Sequence, residues 1–253
     1  MGSPMNRRER FLAEMRENLL LPYEASHVYE EEIIGLFENP TEAGCFERFL
    51  AAVGDGALIL DLACGDGRHT LQLSEQARLV IALDLSPRQL ELARRKGQER
   101  PGIGLLRASA LEPPFPSGCF DGVWFSQAFE YIPPERREEF LAAVRRLLRP
   151  AGLLYMSVES WMYPNPWISL KELWSDFRLF CYWRFLRGKP LRWGEFLYRL
   201  PPGDVRSRAT GWHYHVHTDR PTLCRLLDQC GLQLEVLEMS GGYIYVLCRK
   251  GAG

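Results

Sequence analysis

Missing from this chain is any unbroken apolar run approaching the roughly 20 residues that span a bilayer, although 46% of its 253 residues are apolar. A membrane-spanning helix is therefore not expected. The opening Met1-Gly2-Ser3-Pro4, followed by Arg7-Arg8-Glu9-Arg10, carries no apolar signal region of the kind that directs export. The seven cysteines contain no Cys-x-x-Cys pair. An odd, unspaced set predicts reduced thiols and a cytoplasmic protein. An excess of one charge is missing too: the formal net charge is −1, so no global field selects nucleic acid, and no nucleic-acid partner is expected. The length suits a single α/β domain over residues 1–253.

What is present begins with Leu58-Ile59-Leu60-Asp61-Leu62-Ala63-Cys64-Gly65-Asp66-Gly67-Arg68-His69, which reads as a buried strand, a glycine turn and a helix start. Glycines let a backbone approach a ligand with no side chain in the way. A second apolar run, Leu79-Val80-Ile81-Ala82-Leu83, ends in Asp84. An acid at that strand tip is placed to accept both hydroxyls of a ribose. A dinucleotide fingerprint would need a further glycine where Thr70 stands, and no Lys-Ser/Thr pair follows as in a P-loop. Asp66, inside the turn, would repel a pyrophosphate. The ligand is better read as a nucleoside with a zwitterionic tail, which is S-adenosylmethionine. Cys64 reads as a small packing residue of the turn and not as a nucleophile.

These blocks, taken in order, resemble class I S-adenosylmethionine-dependent methyltransferases. Leu58 to Thr70 resembles the glycine-rich first motif, and Val80 to Arg94, around Asp84-Leu85-Ser86-Pro87, the second. Ala108 to Asp121, with Pro114-Phe115-Pro116-Ser117-Gly118-Cys119-Phe120-Asp121 at its end, resembles the adenine loop and the start of the fourth strand. Leu147 to Leu154 resembles the turn into the fifth. A nicotinamide or sugar-nucleotide site is the competing reading, but it gives the Pro-Phe-Pro-x-Gly-x-Phe-Asp run no role.

The pattern predicts strands at 57–62, 79–84, 104–107, 122–126 and 152–158, alternating with helices at 68–76, 87–96 and 134–148. Such alternation implies a parallel sheet covered on both faces. Runs at 233–239 and 243–248 are separated only by Ser240-Gly241-Gly242, which fits a hairpin and makes the last strand antiparallel. The fold expected is an α/β, Rossmann-like, doubly wound sheet of seven strands, mostly parallel, with helices on both faces. Residues 1–52 form a helical cap. Phe11, Leu12 and Met15 lie on a first helix, Ile33 to Phe37 on a second, and Thr41 caps a third. Such caps lie over the cofactor in this fold. Residues 57–159 form the cofactor-binding core, and residues 211–250 a C-terminal helix and β-hairpin.

Residues 160–210 form an insertion far longer than an ordinary connection. It holds Trp161, Trp167, Trp174, Trp183 and Trp193, and its nine basic against four acidic residues leave about +5 on formal counting. A helix over 170–186 would carry Leu173, Trp174, Phe177, Phe180 and Cys181 along one side. Three readings stay open: a lid over the acceptor, a peripheral membrane surface, and an extra packing layer.

The resemblance implies that Asp61 orders the glycine loop and approaches the methionine amino group, with Ala63, Gly65 and Gly67 lining the tail and Arg68 beside them. Ala63 stands where many relatives have glycine. Asp84 would hold the ribose hydroxyls, Leu85 would pack on adenine, Ser109 and Ala110 would meet its edge, and Ser126 and Gln127 would border the sulfonium. Many relatives carry aspartate where Ser109 stands. In Trp212-His213-Tyr214-His215-Val216-His217-Thr218, an extended chain puts all three histidines on one face. His213 and His215, with Tyr131, are the catalytic candidates, and Glu130 and Glu159 are further acceptor contacts. A structural role and a metal site are the alternatives for the histidines; no metal is expected.

The activity expected is methyl transfer from S-adenosylmethionine to a small molecule, with S-adenosylhomocysteine as product. O-methylation of an apolar or aromatic, even anionic, metabolite is the leading reading, in the manner of quinone and secondary-metabolite biosynthesis. Leu200-Pro201-Pro202-Gly203 faintly resembles the ubiquinone-pathway O-methyltransferases. The alternatives are a tRNA or protein methyltransferase, or a protein that binds the cofactor without methylating.

Overall fold

The computed structural model describes residues 5–15, 39–97, 100–199 and 212–251. The proposed helix over Ile33 to Phe37 and the Leu200-Pro201-Pro202-Gly203 stretch lie outside these residues. Residues 7–15 are helical (α1). The elements that follow are α2 (Pro40–Val53), β1 (Leu58–Leu62), α3 (Arg68–Leu73), β2 (Leu79–Asp84), α4 (Pro87–Lys96), β3 (Ile103–Arg107) and β4 (Phe120–Phe125). Then come α5 (Arg137–Leu147), β5 (Leu148–Glu159), α6 (Pro166–Cys181), β6 (Glu195–Arg199), β7 (Trp212–Val216), α7 (Arg220–Gln229), β8 (Leu232–Ser240) and β9 (Tyr243–Lys250).

Seven strands form one sheet in the order β3-β2-β1-β4-β5-β9-β8. β1 to β5 pair parallel, and β9 runs antiparallel to both β5 and β8. This is the Rossmann-like sheet with an antiparallel C-terminal strand that the hairpin signal predicts. Strand order reverses between β1 and β4, and ligands of open α/β sheets bind outside the carboxyl ends of strands at such a switch point.

The strands alternate their side chains between two cores. Leu60, Leu62, Val123 and Phe125 pack with Phe140, Leu141 and Val144 of α5 and Leu223 and Leu227 of α7. Ile59, Trp124 and Tyr155 pack with Cys45 and Phe49 of α2 on the other face. Each large side chain taken wholly from water contributes about 1.5–3 kcal/mol, so helices are held on both faces. At Gly122 a Cβ would lie 2.6 Å from Phe49 Cζ, so only glycine lets α2 sit this close to β4.

Several boundaries differ from expectation. Asn39, not Thr41, caps α2: its side chain accepts from the Thr41 N–H, leaving Pro40 at the first turn where its missing N–H costs nothing. The helix expected at 134–148 is a 3-10 turn, Pro134–Arg136, followed by α5. The helix expected at 170–186 begins at Pro166, capped by Asn165, and ends in a π turn, Tyr182–Leu186. The side that carries the apolar residues is split: Trp174 and Phe177 are exposed, while Leu173, Phe180 and Cys181 are half-buried. Asp176 sets the rotation: it is buried, 2.7 Å from His217 Nδ1.

The insertion is also not simply helical. Its β6 pairs antiparallel with the histidine strand β7, forming a second, two-stranded sheet. A third core of Phe11, Met15, Trp183, Leu191, Leu197, Tyr214 and Val216 joins this sheet to α1. Arg8 of α1 reaches Glu195 and Glu135 (3.0 Å), and the Tyr214 hydroxyl donates to Glu195 at 2.8 Å.

Candidate active site

One cavity of about 1140 Å³ opens at the carboxyl ends of β1, β2, β3 and β4. Of the residues singled out from sequence, Asp61, Ala63, Gly65, Arg68, Asp84, Leu85, Ser109, Ala110, Ser126, Gln127, Tyr131 and His215 line it. α1 lines it as well, through Arg8, Leu12 and Met15.

Gly67 does not line the cavity, contrary to expectation. It adopts φ +82°, and a Cβ there would lie 2.9 Å from Ala93 Cβ. Its work is to let the start of α3 pack against α4. The turn into the cavity is made one step earlier, where Ala63 adopts φ +59°. A β-carbon disfavours that left-handed conformation by roughly 1–2 kcal/mol, partly offset by the greater chain entropy of glycine. Ala63→Gly is therefore expected to stabilise the fold by about 0.5–1 kcal/mol, read as a raised denaturant midpoint. Gln127, just after β4, also has positive φ (+50°) and is held by the Ser157 Oγ accepting its N–H at 2.7 Å. Such backbone outliers cluster where a site is built.

Two carboxyls, buried Asp61 and half-buried Asp84, stand at one end. Asp61 accepts from the Thr70 hydroxyl at 2.5 Å. Burial pushes its carboxyl up to about 7, nearby Asp84 adds to the rise, and the Thr70 hydrogen bond and Arg68 oppose it. Asp84 accepts from the backbone N–H of Gly65 at 2.9 Å and of Ser86 at 2.8 Å, tying the glycine turn to the tip of β2. Burial raises its carboxyl, and these hydrogen bonds oppose the rise. Burial also raises the Cys64 thiol well above its usual range, so it is held as a thiol rather than a nucleophilic thiolate.

Glu42 and His69 were missed from sequence. Glu42, buried on α2, accepts from Ser126 Oγ at 2.5 Å and the Tyr155 hydroxyl at 3.0 Å, with Arg68 Nη2 at 3.4 Å. It fixes the cavity-lining Ser126 and Arg68 from behind. Burial holds the His69 ring, in the cavity wall, well below its usual pKa. A glutamate on a cap helix gives no sequence signal of this role, because only packing of α2 on the sheet brings it there.

At the other end, His215 Nδ1 lies 2.7 Å from Glu159 Oε2, and its ring meets Tyr131 edge-on at 4.9 Å. Glu130 is buried in the cavity wall, and its Oε2 has no hydrogen-bond partner. Burial, with Glu159 nearby, pushes its carboxyl up to about 7. Burial would raise Glu159 too, but hydrogen bonds from His215 and His217 outweigh it and hold that carboxyl well below its usual range. Arg137, buried, donates to Thr218 Oγ1 (2.6 Å) and to the carbonyls of Ile132 (3.0 Å) and Val216 (3.2 Å). It clamps the Tyr131 turn to the end of the histidine strand.

His215 and His217 both reach Glu159, as alternation requires. The side chain of His213 lies outside what is described; His215 lines the cavity. His217 stands behind the cavity wall, between Asp176 of α6 and Glu159 of β5. Burial would lower its pKa, but those two carboxylates raise it to about 9. Its folded value lies above the unfolded one near 6.5. The stability it contributes is therefore complete below about pH 6.5 and lost as pH rises through about 9. The melting temperature should fall across that window, and His217→Gln should flatten the fall. Among the described residues no group of His, Cys, Asp and Glu is arranged to hold a metal ion. No described helix is long and apolar enough to cross a membrane.

Residues 59–152 match a family described as "Methyltransferase domain". A demethylmenaquinone methyltransferase of Thermus thermophilus is 39% identical over 99 residues, covering 38% of this chain and 44% of that protein. The chain spans less than half the length of the curated relatives it matches. A Burkholderia thailandensis 1,6-didemethyltoxoflavin-N1-methyltransferase, solved with 1,6-didemethyltoxoflavin and S-adenosylhomocysteine, aligns over 100% of this chain and 94% of its own at TM-score 0.64 and 18% identity. A DhpI–S-adenosylhomocysteine complex aligns over 95% and 99% at TM-score 0.68 and 20% identity. At these identities the structures show a shared fold.

Proposed function

We propose, from the premise that the core of this chain is a class I S-adenosylmethionine-dependent methyltransferase domain, that the protein transfers a methyl group to a small-molecule acceptor. One observation carries this reading: a single cavity joins the Asp61–Gly65–Asp84 end to the end lined by Glu130, Tyr131 and His215. Its volume exceeds the roughly 300–1,000 Å³ of a pocket for one ligand, which leaves room for a nucleoside cofactor and an acceptor together. The Thermus relative and the Burkholderia structure are named for methylating small molecules.

Asp84 would hold the ribose hydroxyls, Leu85, Ser109 and Ala110 would border the adenine, and Asp61 would face the ammonium of the methionine tail. The pairing is physically apt. A buried carboxyl raised to about 7 becomes an anion most readily beside a cation. Ala63, Gly65 and Arg68 would line the tail, with Ser126 and Gln127 at the sulfonium. When bound, the cofactor supplies a methyl group already activated by positive charge, so alignment and proton removal are what the protein must add. Ionised Glu159 takes the Nδ1–H of His215 and leaves Nε2 as the basic nitrogen. His215 would accept the acceptor's hydroxyl proton as the new O–C bond forms and the S–C bond breaks. Tyr131 would orient the acceptor.

Incubation with methyl-labelled S-adenosylmethionine and extract from the source organism tests the reading. Label is expected in a small-molecule or lipid fraction, and is lost with Asp84→Ala. Label in RNA or protein instead would overturn the small-molecule assignment.

A further inference from the structure

α6 is inside-out. Its one buried acid, Asp176, faces inward onto His217, and Trp183 of the following turn is buried beside it. Its outward face carries Trp167 (78% exposed), Leu170, Trp174 (60%) and Phe177. At 3.6 residues per turn these four fall within about 80° of arc, so they form one stripe. The π turn extends it with Phe185 (71%) and Leu186 (78%). Large apolar side chains gathered into one exposed patch mark an interaction surface, unlike scattered ones.

The charges around the stripe identify what covers it. Lys171, Arg178, Arg184 and Arg187 are exposed along the same segment, and none of them forms an ion pair among the described residues. Lys171 and Arg178 flank the stripe on α6 itself. The described acids of the segment do not balance them: Asp176 is buried and Glu195 is taken by Arg8 and Tyr214, which leaves half-exposed Glu172 against four cations. Tryptophan with its polar N–H and long basic side chains with apolar stems both suit the boundary between headgroups and acyl chains. A second copy of this chain would bring the same four cations against each other across a two-fold axis.

We propose that the outer face of α6 and its following turn docks on an anionic lipid bilayer. Trp167, Leu170, Trp174, Phe185 and Leu186 enter the interface, and Lys171, Arg178, Arg184 and Arg187 meet lipid phosphates. The patch also abuts the cavity rim: Trp193, half-exposed and packed on Phe177 and Phe180, follows Arg192 of the cavity wall.

Sedimentation of the full chain with vesicles decides it, using phosphatidylcholine alone and phosphatidylcholine mixed with phosphatidylglycerol. Binding is expected to the mixed vesicles, at least about tenfold weaker to the neutral ones, and to weaken with salt. Trp167→Ser combined with Phe185→Ser, and separately Arg184→Glu combined with Arg187→Glu, should each lower it about tenfold or more. Both are surface changes, and unchanged S-adenosylmethionine binding checks that they fold. Absence of binding to mixed vesicles at low salt, or equal binding to both kinds, overturns the proposal. So does a concentration-dependent dimer, in sedimentation velocity, that the Trp167→Ser and Phe185→Ser pair dissolves.

Discussion

Asp61→Asn is expected to weaken S-adenosylmethionine binding by about 100-fold or more while making the free protein more stable at pH 8. The first effect follows from removing a buried charge that faces a cation, a loss on the order of 2–5 kcal/mol. The second comes from the same burial acting on the empty site. The folded carboxyl sits at about 7, above its unfolded value of 3.8. Its contribution to stability is therefore complete below about pH 3.8 and lost as pH rises through 7. At pH 8 the uncompensated anion costs roughly 2–4 kcal/mol. Asparagine avoids that charge and still accepts the Thr70 hydroxyl. A proton bookkeeping test accompanies it. Below pH 7 the wild-type carboxyl must lose its proton as the cofactor binds, so affinity should fall about tenfold per pH unit. Calorimetry in two buffers of different ionisation enthalpy should show proton release at pH 6 and little at pH 8. A flat affinity from pH 6 to 8 would mean that Asp61 is already ionised in the empty site.

Glu159→Gln should lower kcat by about 10²–10⁴-fold and leave the affinity for the cofactor within a factor of a few. Glutamine still accepts the His215 Nδ1–H, so the ring keeps its place. What is lost is the anion that would stabilise the imidazolium formed as the acceptor's proton arrives. His215→Asn should lose kcat to a similar extent, with little further loss in the double variant, since the two act through one proton. If kcat is unchanged and only KM rises, His215 and Glu159 bind the acceptor without taking its proton.

Much of this protein was legible along the chain. A strand that carries Asp61 next to its end, a glycine turn and a second strand that ends in Asp84 are local patterns of period and turn chemistry. They place the cavity at the carboxyl edge of β1 and β2 with no knowledge of packing. The short Gly241-Gly242 connection between β8 and β9 likewise forces a hairpin. The role of Gly67 was not legible, because a glycine that clears a facing helix looks the same in sequence as one that clears a ligand. Glu42 was equally silent, since its partners Ser126 and Tyr155 lie 84 and 113 residues away. Periodicity showed that α6 has an apolar side but left open which way it faces. The rotation of that helix is decided by one buried pair, Asp176 with His217, across 41 residues of chain. Local backbone preference thus determined the sheet and its nucleoside-facing edge. Contacts between distant segments, which alone exclude water from paired charges, decided which way the insertion faces and how His215 and His217 are paired.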